Sequence, residues 1–193
     1  MFNYIIGEIV LKSENSVVVE NNSVGFEISV SQSTLLSLPS IGSVAKIYTY
    51  LNVREDEMSL FGFSTLEEKE MFLKLISVSG IGPKVALSIL SGIRLSDLSI
   101  AIKTEDIKVL STIKGLGKKT AERIVLELKD KISVIGFNEE NVPMLNESAI
   151  DEATEALVAL GINKNEAYRL ARENARENDK AEEIITRAFQ NLN

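Results

Sequence analysis

The 193-residue chain has no cysteine and no histidine. Without cysteine, neither a disulfide nor a thiolate metal site can form. Without histidine, the chain lacks the commonest general base, the imidazole metal ligand, and the Ser-His and Cys-His pairs of nucleophilic enzymes. These absences exclude much of enzyme chemistry, so we expect no catalytic residue, no metal and no cofactor.

Long hydrophobic runs are missing as well. The hydrophobic fraction of 45% is that of a globular protein, but no apolar run approaches the roughly 20 residues of a membrane-spanning helix. The first residues also lack the basic-then-apolar pattern of a signal peptide. We therefore expect a cytoplasmic protein with no membrane partner.

The net charge of −7 is distributed unevenly. Residues 1–63 carry 3 basic and 7 acidic side chains (−4), residues 64–132 carry 12 and 9 (+3), and residues 133–193 carry 6 and 12 (−6). A local positive face can bind phosphate within an acidic protein, and the acidic remainder limits indiscriminate binding. The middle segment is the candidate for nucleic-acid binding, with ordinary solvated surface as the alternative explanation.

Residues 1–63 have the pattern of a β domain. Five short segments rich in β-branched and aromatic residues are separated by turns, with Asn21-Asn22 as a hairpin candidate. Five strands in about 60 residues predict a small barrel of the OB type. Gly7, Gly25 and Gly62 are expected where strands bend sharply.

The remaining residues predict helices. Ser64-Thr65-Leu66-Glu67 has the form of a capping box, and the apolar residues from there to Ile132 recur at helical spacing, with further helix starts at 96–98 and 104–106. Residues 133–147 form a polar segment that predicts a flexible linker. Residues 148–193 predict a three-helix, UBA-like module, in which Gly161 suits a left-handed helix end. The fold class is α+β, in three domains.

A short glycine phrase occurs twice in the basic segment. Gly80-Ile81-Gly82 and Gly115-Leu116-Gly117 are offset by 35 positions, and each lies between two helical patterns. This is the arrangement of a tandem helix-hairpin-helix domain. Ile81 and Leu116 are expected to point inward and attach each turn to its own helices.

Each turn has the chemistry of a phosphate site. The first N–H groups of a helix lack intrahelical partners, and the helix dipole adds partial positive charge. Glycine lets the backbone approach a phosphate closely. Lys84, Lys118 and Lys119 stand at helix starts, where a lysine is unfavourable unless an anion binds there. A tight helix–helix turn is the structural alternative, but two copies followed by lysine favour sequence-independent binding of DNA backbone.

The whole chain closely resembles the RuvA family of Holliday-junction-binding proteins. The most specific stretches are 53–56, 60–63, 80–87, 89–92 and 114–123. The resemblance implies a homotetramer, or two tetramers forming an octamer, that holds a four-way DNA junction open. It adds Arg123 to the phosphate-binding residues Gly80, Gly82, Lys84, Gly115, Gly117, Lys118 and Lys119.

The resemblance also assigns roles outside the hairpins. Glu55 and Asp56 match the acidic pin at the junction centre, and whether Glu57 joins them is left open. Residues 148–193 resemble the part of the family that docks on RuvB, a hexameric AAA+ ATPase motor. The chain itself has no phosphate-loop motif, so it is expected to be a non-catalytic subunit in branch migration, recombination and DNA repair. A junction resolvase is a further partner to consider.

Two other functions fit parts of the sequence. A helix-hairpin-helix nuclease or glycosylase is the first, since Glu55, Asp56 and Glu57 form an acidic run that a nuclease could use to hold a divalent metal. The second is a purely architectural DNA scaffold, whose C-terminal module binds no motor.

Overall fold

The computed structural model describes residues 2–132, 146–176 and 179–190. The segment predicted as a linker, 133–147, lies outside the described residues except for its last two. Asn146 caps a helix that begins at Glu147, and its side chain accepts a hydrogen bond from the Ala149 N–H at 3.3 Å. This helix begins one residue before the predicted start of the C-terminal module at 148. The domain boundaries themselves stay a prediction.

Five strands close into a barrel in the order β1-β2-β3-β5-β4. Neighbouring strands are antiparallel except for β3 and β5, which are parallel. This confirms the predicted OB-type barrel. Their bounds are β1 Tyr4–Lys12, β2 Ser16–Asn21, β3 Val24–Val30, β4 Val44–Val53 and β5 Met58–Phe63.

The turn between β2 and β3 lies one residue later than predicted. Asn22 and Ser23 have φ values of 48° and 63°, whereas Asn21 is still in the strand. Two consecutive left-handed residues make the tight turn whose twist matches the flanking strands. Asn22-Ser23, and not Asn21-Asn22, is therefore the hairpin loop.

Two of the three barrel glycines permit close packing. A Cβ on Gly7 would lie 2.2 Å from the Glu20 carbonyl oxygen, and one on Gly62 would lie 2.4 Å from Ile28 Cγ2. Any larger residue would force the barrel wall apart at these points. At Gly25 the nearest atom would be 3.4 Å away, which is an ordinary contact.

The helices of the described residues follow the barrel, except for α1 (Gln32–Ser37), which lies between β3 and β4. No single described helix is long and apolar enough to span a membrane; α3 and α4 together have the length and composition, with a bend of 102° between them. The bounds are α1 Gln32–Ser37, α2 Leu66–Ser77, α3 Pro83–Gly92, α4 Leu95–Lys103, α5 Ile107–Ser111, α6 Lys118–Leu128, α7 Glu147–Ala159, α8 Lys164–Asn174 and α9 Ala181–Gln190.

Two predicted helix starts were misplaced. Thr65, and not Ser64, caps α2, and its hydroxyl accepts a hydrogen bond from the Glu68 N–H at 3.2 Å. Helix α4 begins at Leu95 after Arg94, without a side-chain cap. By contrast, α5 follows directly on the start predicted at 104–106, with Asp106 as its cap, accepting a hydrogen bond from the Val109 N–H at 3.0 Å.

The barrel and the helical domain share an aromatic core. Phe61 and Phe63 of β5 are buried against Phe72 of α2, with ring centroids 5.6 and 4.8 Å apart. Aromatic pairs at this distance stabilise beyond their buried area. The shared core fixes the barrel against the first helix of the helical domain.

A buried carboxylate reinforces the same junction. Glu68 of α2 accepts hydrogen bonds from the Ser31 hydroxyl at 2.5 Å and from the Ser64 N–H at 3.1 Å, and also from the Thr34 hydroxyl. Ser31 and Thr34 belong to the cap and body of α1, a helix that the sequence analysis missed. Because these donors satisfy its oxygens, Glu68 can be buried without a cation.

The C-terminal helices pack on the helical domain through α4 and α8. Ile100 of α4 is buried in the core of the C-terminal module. Arg169 Nη2 donates to Asp97 Oδ1 at 2.8 Å, and Asn165 Nδ2 donates to Asp106 Oδ2 at 2.7 Å. Within the module, Gly161 has the predicted left-handed conformation, with φ of 95°.

Candidate nucleic-acid interface

The two glycine hairpins have the same backbone conformation. Gly80 and Gly115 have φ of 90° and 87°, a region that L side chains rarely adopt. Gly82 and Gly117 cap the following helices with φ/ψ of −89°/169° and −77°/159°. The sequence repeat is therefore also a structural repeat.

The central residue of each turn is buried, as expected. Ile81 and Leu116 are 5% and 3% exposed. Their N–H groups donate to the carbonyl oxygens of Val78 and Ile113 at 3.1 and 3.0 Å. These contacts hold each turn on its own helices, with its glycines on the outer side.

The outer side of both turns is open. At Gly82, Gly115 and Gly117, an added Cβ would have no described heavy atom within 4 Å beyond its chain neighbours. Among the described residues, no side chain caps the N-terminus of α3 or α6. The free N–H groups in the first turns of these helices can therefore meet an external acceptor. In α3 they begin at Lys84, because Pro83 has no N–H.

The lysines predicted to bind phosphate surround this opening. The side chains of Lys84 and Lys118 are 82% and 78% exposed, and Lys119 is exposed too. The first turns of α3 and α6, both fully described, hold no acidic residue. Lys118 Nζ lies 4.0 Å from Glu122 one turn later, a surface pair of little energetic weight. Positive side chains thus meet the positive helix ends, an arrangement that suits a bound anion.

Arg123 is placed differently from the lysines. It lies on α6 behind the second hairpin, and its Nη1 donates to the Ser79 carbonyl oxygen of the first hairpin at 2.8 Å. The resemblance implied only a phosphate contact for this side chain. Sequence reasoning missed the bond because it joins residues 44 positions apart.

The acidic turn between β4 and β5 lies beside the first hairpin. The Arg54 N–H donates to the Glu57 carbonyl oxygen at 2.9 Å, which closes the turn with Glu55 and Asp56 exposed at its tip. Glu57 accepts a hydrogen bond from the Ser59 hydroxyl at 2.6 Å and lies 3.9 Å from Lys84 Nζ. Glu57 therefore faces a hairpin lysine from the base of the turn. No sequence signal pointed to this contact.

The apolar residues of the C-terminal module divide into core and surface. Leu157 and Ile184 are buried, and Ile162, Leu170 and Ile185 are partly buried. Leu160 and Phe189 remain 65% and 41% exposed. Among the described residues of the module, Leu160, Phe189 and Val158, which is 38% exposed, therefore offer apolar surface.

Comparison with known proteins matches both the barrel and the hairpins. Residues 1–62 match the family described as RuvA N terminal domain, and residues 72–130 match the SAM-like helix-hairpin-helix tandem. A Holliday junction branch migration complex subunit RuvA from Acetivibrio thermocellus is 44% identical over 199 residues, covering 100% of this chain and 98% of the relative. The chain belongs to the RuvA family.

Other RuvA subunits are similarly close. The subunit from Caldanaerobacter subterraneus subsp. tengcongensis is 44% identical over 193 residues, covering 100% of this chain and 99% of the relative. The subunit from Methylococcus capsulatus is 39% identical over 197 residues, covering 98% of each. Similarity at this level includes the C-terminal module, and it confirms the family inferred from the motifs and the barrel-then-hairpins fold.

Proposed function

We propose that this protein is a non-catalytic DNA-binding subunit that recognises the four-way Holliday junction. It holds the junction open as a homotetramer and brings a RuvB-like ATPase motor to it for branch migration. The process belongs to recombination and DNA repair and takes place in the cytoplasm. Membership of the RuvA family supports this proposal. The exposed hairpins with the acidic turn beside them support it too, as does the exposed apolar surface of the C-terminal module.

The two hairpins are the proposed binding site for duplex DNA. Each presents uncapped helix N–H groups beside lysine, and such groups bind phosphate oxygen without reading base sequence. The proposed phosphate-binding residues are Gly80, Gly82, Lys84, Gly115, Gly117, Lys118, Lys119 and Arg123.

The proximity of the acidic turn to the first hairpin is the observation that carries junction recognition. Lys84 attracts phosphate, while Glu55 and Asp56 project from a turn whose base, Glu57, lies 3.9 Å from that lysine. Carboxylates repel the phosphates of strands that come too close. A duplex held on the hairpins would thus be kept off the turn. Four such turns around an axis would act as an acidic pin that separates strands at the crossover.

The C-terminal module is the proposed motor contact. Its charge is acidic, which argues against binding DNA, and Leu160 and Phe189 offer apolar surface. The chain contains no phosphate-loop motif, so ATP hydrolysis belongs to the partner. A junction resolvase would reach the same DNA after the motor has moved the crossover.

Binding and activity assays test the proposal together. The purified protein should bind a four-way junction much more tightly than a linear duplex of the same length and should hydrolyse no ATP alone. Equal affinity for the two DNAs would contradict junction recognition. Cleavage of either DNA in magnesium or manganese would support the nuclease alternative instead.

A further inference from the structure

Two side chains cross between the hairpins. Arg123 of α6 donates from Nη1 to the Ser79 carbonyl oxygen at 2.8 Å. Ser88 of α3 donates from its hydroxyl to the Lys114 carbonyl oxygen at 3.3 Å. Each helix that follows one hairpin therefore holds the backbone of the other.

The two bonds occupy equivalent places in the repeat. Ser79 and Lys114 each precede the first glycine of a hairpin, and Ser88 and Arg123 each lie six residues after the second glycine. Ser79 and Lys114 are 35 positions apart, as are Ser88 and Arg123, and this is also the offset between the two glycine turns. The bonds are thus related by the internal repeat, which distinguishes them from isolated surface contacts.

Each bond acts on the peptide unit that carries the glycine N–H. In a planar trans peptide the C=O and N–H groups point in opposite directions. A donor on the Ser79 carbonyl oxygen therefore fixes the direction of the Gly80 N–H, and a donor on the Lys114 carbonyl oxygen does the same for Gly115. Both glycines have positive φ and need such support, because glycine has an unusually wide choice of conformations.

We propose that Ser88 and Arg123 are positioning residues that set the spacing and orientation of the two hairpins. The Ser88–Lys114 and Arg123–Ser79 bonds together form a cross-brace between the hairpins. With the cross-brace in place, both hairpins bind phosphates of one duplex at the same time. This rests on the proposed DNA-binding function and deepens it.

The two halves of the cross-brace differ in strength. The guanidinium of Arg123 makes a charge-assisted bond, and its Nη1 lies 3.6 Å from the position of a Cβ on Gly80. It has further N–H donors, so it can hold Ser79 and still face a phosphate. Ser88 is neutral, and its hydroxyl is already directed at Lys114. A change at Ser88 therefore alters the position of the hairpin without altering the charge that faces DNA.

The experiment measures DNA affinity against salt concentration for the full-length protein. Each phosphate contact contributes about 0.9 to the slope of log affinity against log salt. Ser88→Ala removes no charge, so a smaller slope would mean that other residues bind fewer phosphates. We expect Ser88→Ala to weaken binding about 3- to 10-fold at fixed salt and to lower the slope by about 1. Ser88→Thr keeps the hydroxyl and should restore both values.

Matched variants separate the cross-brace from general effects. Ser111→Ala removes another exposed hydroxyl of the same domain, one that bonds the Ile107 carbonyl oxygen within α5, and should leave slope and affinity unchanged. Arg123→Lys keeps the charge and loses the planar fork, so it should lower the slope as Ser88→Ala does. Urea unfolding of each variant reports stability independently of DNA.

Measurements on both linear duplex and junction keep the two proposals distinct. Equal binding of the two DNAs by the wild-type protein would contradict junction recognition, while the slopes on duplex would still test the cross-brace. Wild-type slope and affinity in Ser88→Ala would overturn the cross-brace and leave junction recognition standing. Absence of any DNA binding by the wild type would overturn both.

Discussion

Gly115 and Gly117 stand two residues apart in the same turn, and replacing each by alanine should give different results. Gly115 has φ of 87°, and a Cβ there would meet open space. Gly115→Ala should therefore lose about 1–2 kcal/mol of unfolding free energy through backbone strain alone. Urea unfolding measures this loss, with the same dependence of unfolding free energy on urea concentration assumed for both proteins.

Gly117→Ala should cost little stability but should weaken DNA binding. Gly117 has φ of −77°, which alanine adopts readily, so the loss in stability should stay below about 1 kcal/mol. The new methyl group would instead stand where phosphate approaches the helix end, and DNA affinity should fall about tenfold, or 1.4 kcal/mol. Unchanged DNA affinity in Gly117→Ala would contradict the phosphate site at this helix.

Lys118 and Lys119 should govern the salt dependence of binding. Replacing both by alanine should weaken binding to duplex and junction alike and lower the salt slope by about 0.9 for each phosphate that the variant no longer binds. The matched control replaces Lys108 and Lys131, lysines of the same domain that lie outside both hairpins. If the control lowers the slope equally, general positive charge, and not the hairpin, accounts for the binding.

At the scale of whole elements, Glu68 connects three parts of the chain. It joins α1, α2 and the end of the barrel through donors from Ser31, Thr34 and Ser64. Glu68→Gln replaces one acceptor oxygen by an amide NH2, which must then face one of these donors. We expect a loss of about 1–3 kcal/mol, since a buried donor is left unsatisfied.

Glu67→Gln is the matched control for this prediction. Glu67 is the exposed neighbour on the same turn of α2, and its change should shift the urea midpoint little. Equal midpoints for the two variants would show that Glu68 does not hold the barrel on the helical domain.

The sequence predicted the type and order of these elements better than their ends. Period-two strands and the doubled glycine phrase each depend on residues close in the chain, and both were found. The cap of α2 was misplaced because Ser64 and Thr65 are both good caps, and the choice depends on Glu68, whose carboxylate is drawn to α1. Helix α1 was missed because its six residues are too few for a clear period.

For the molecule as a whole, the contacts between distant segments could not be predicted. The 3.9 Å approach of Glu57 to Lys84 and the bond from Arg169 to Asp97 both depend on how separately folded parts meet. Such pairs join segments that are distant in the chain, and they leave no local pattern in a single sequence. The residues of the hairpins and the acidic turn were predicted, whereas their placement on a shared surface required the structure.

DNA binding and motor stimulation should depend on different parts of the molecule. Leu160 is 65% exposed on the C-terminal module, far in sequence from the hairpins. Leu160→Glu should leave junction affinity unchanged and lower the stimulation of a RuvB-like motor. The control is Leu36→Glu, at a leucine of the barrel domain that is 83% exposed. Equal stimulation by both variants would remove Leu160 from the motor contact, whereas no stimulation by the wild-type protein would favour the architectural alternative.

The assembly itself is tested by mass in solution. Cyclic symmetry with four copies would repeat the acidic turn around one axis and give each of four DNA arms one pair of hairpins. Light scattering without DNA should therefore report four times the subunit mass of 21.2 kDa. With a four-way junction, a further rise by the same protein mass would indicate a second tetramer on the opposite face. A monomer or dimer that still prefers the junction over duplex would contradict the four-fold pin, because fewer than four acidic turns cannot surround the crossover.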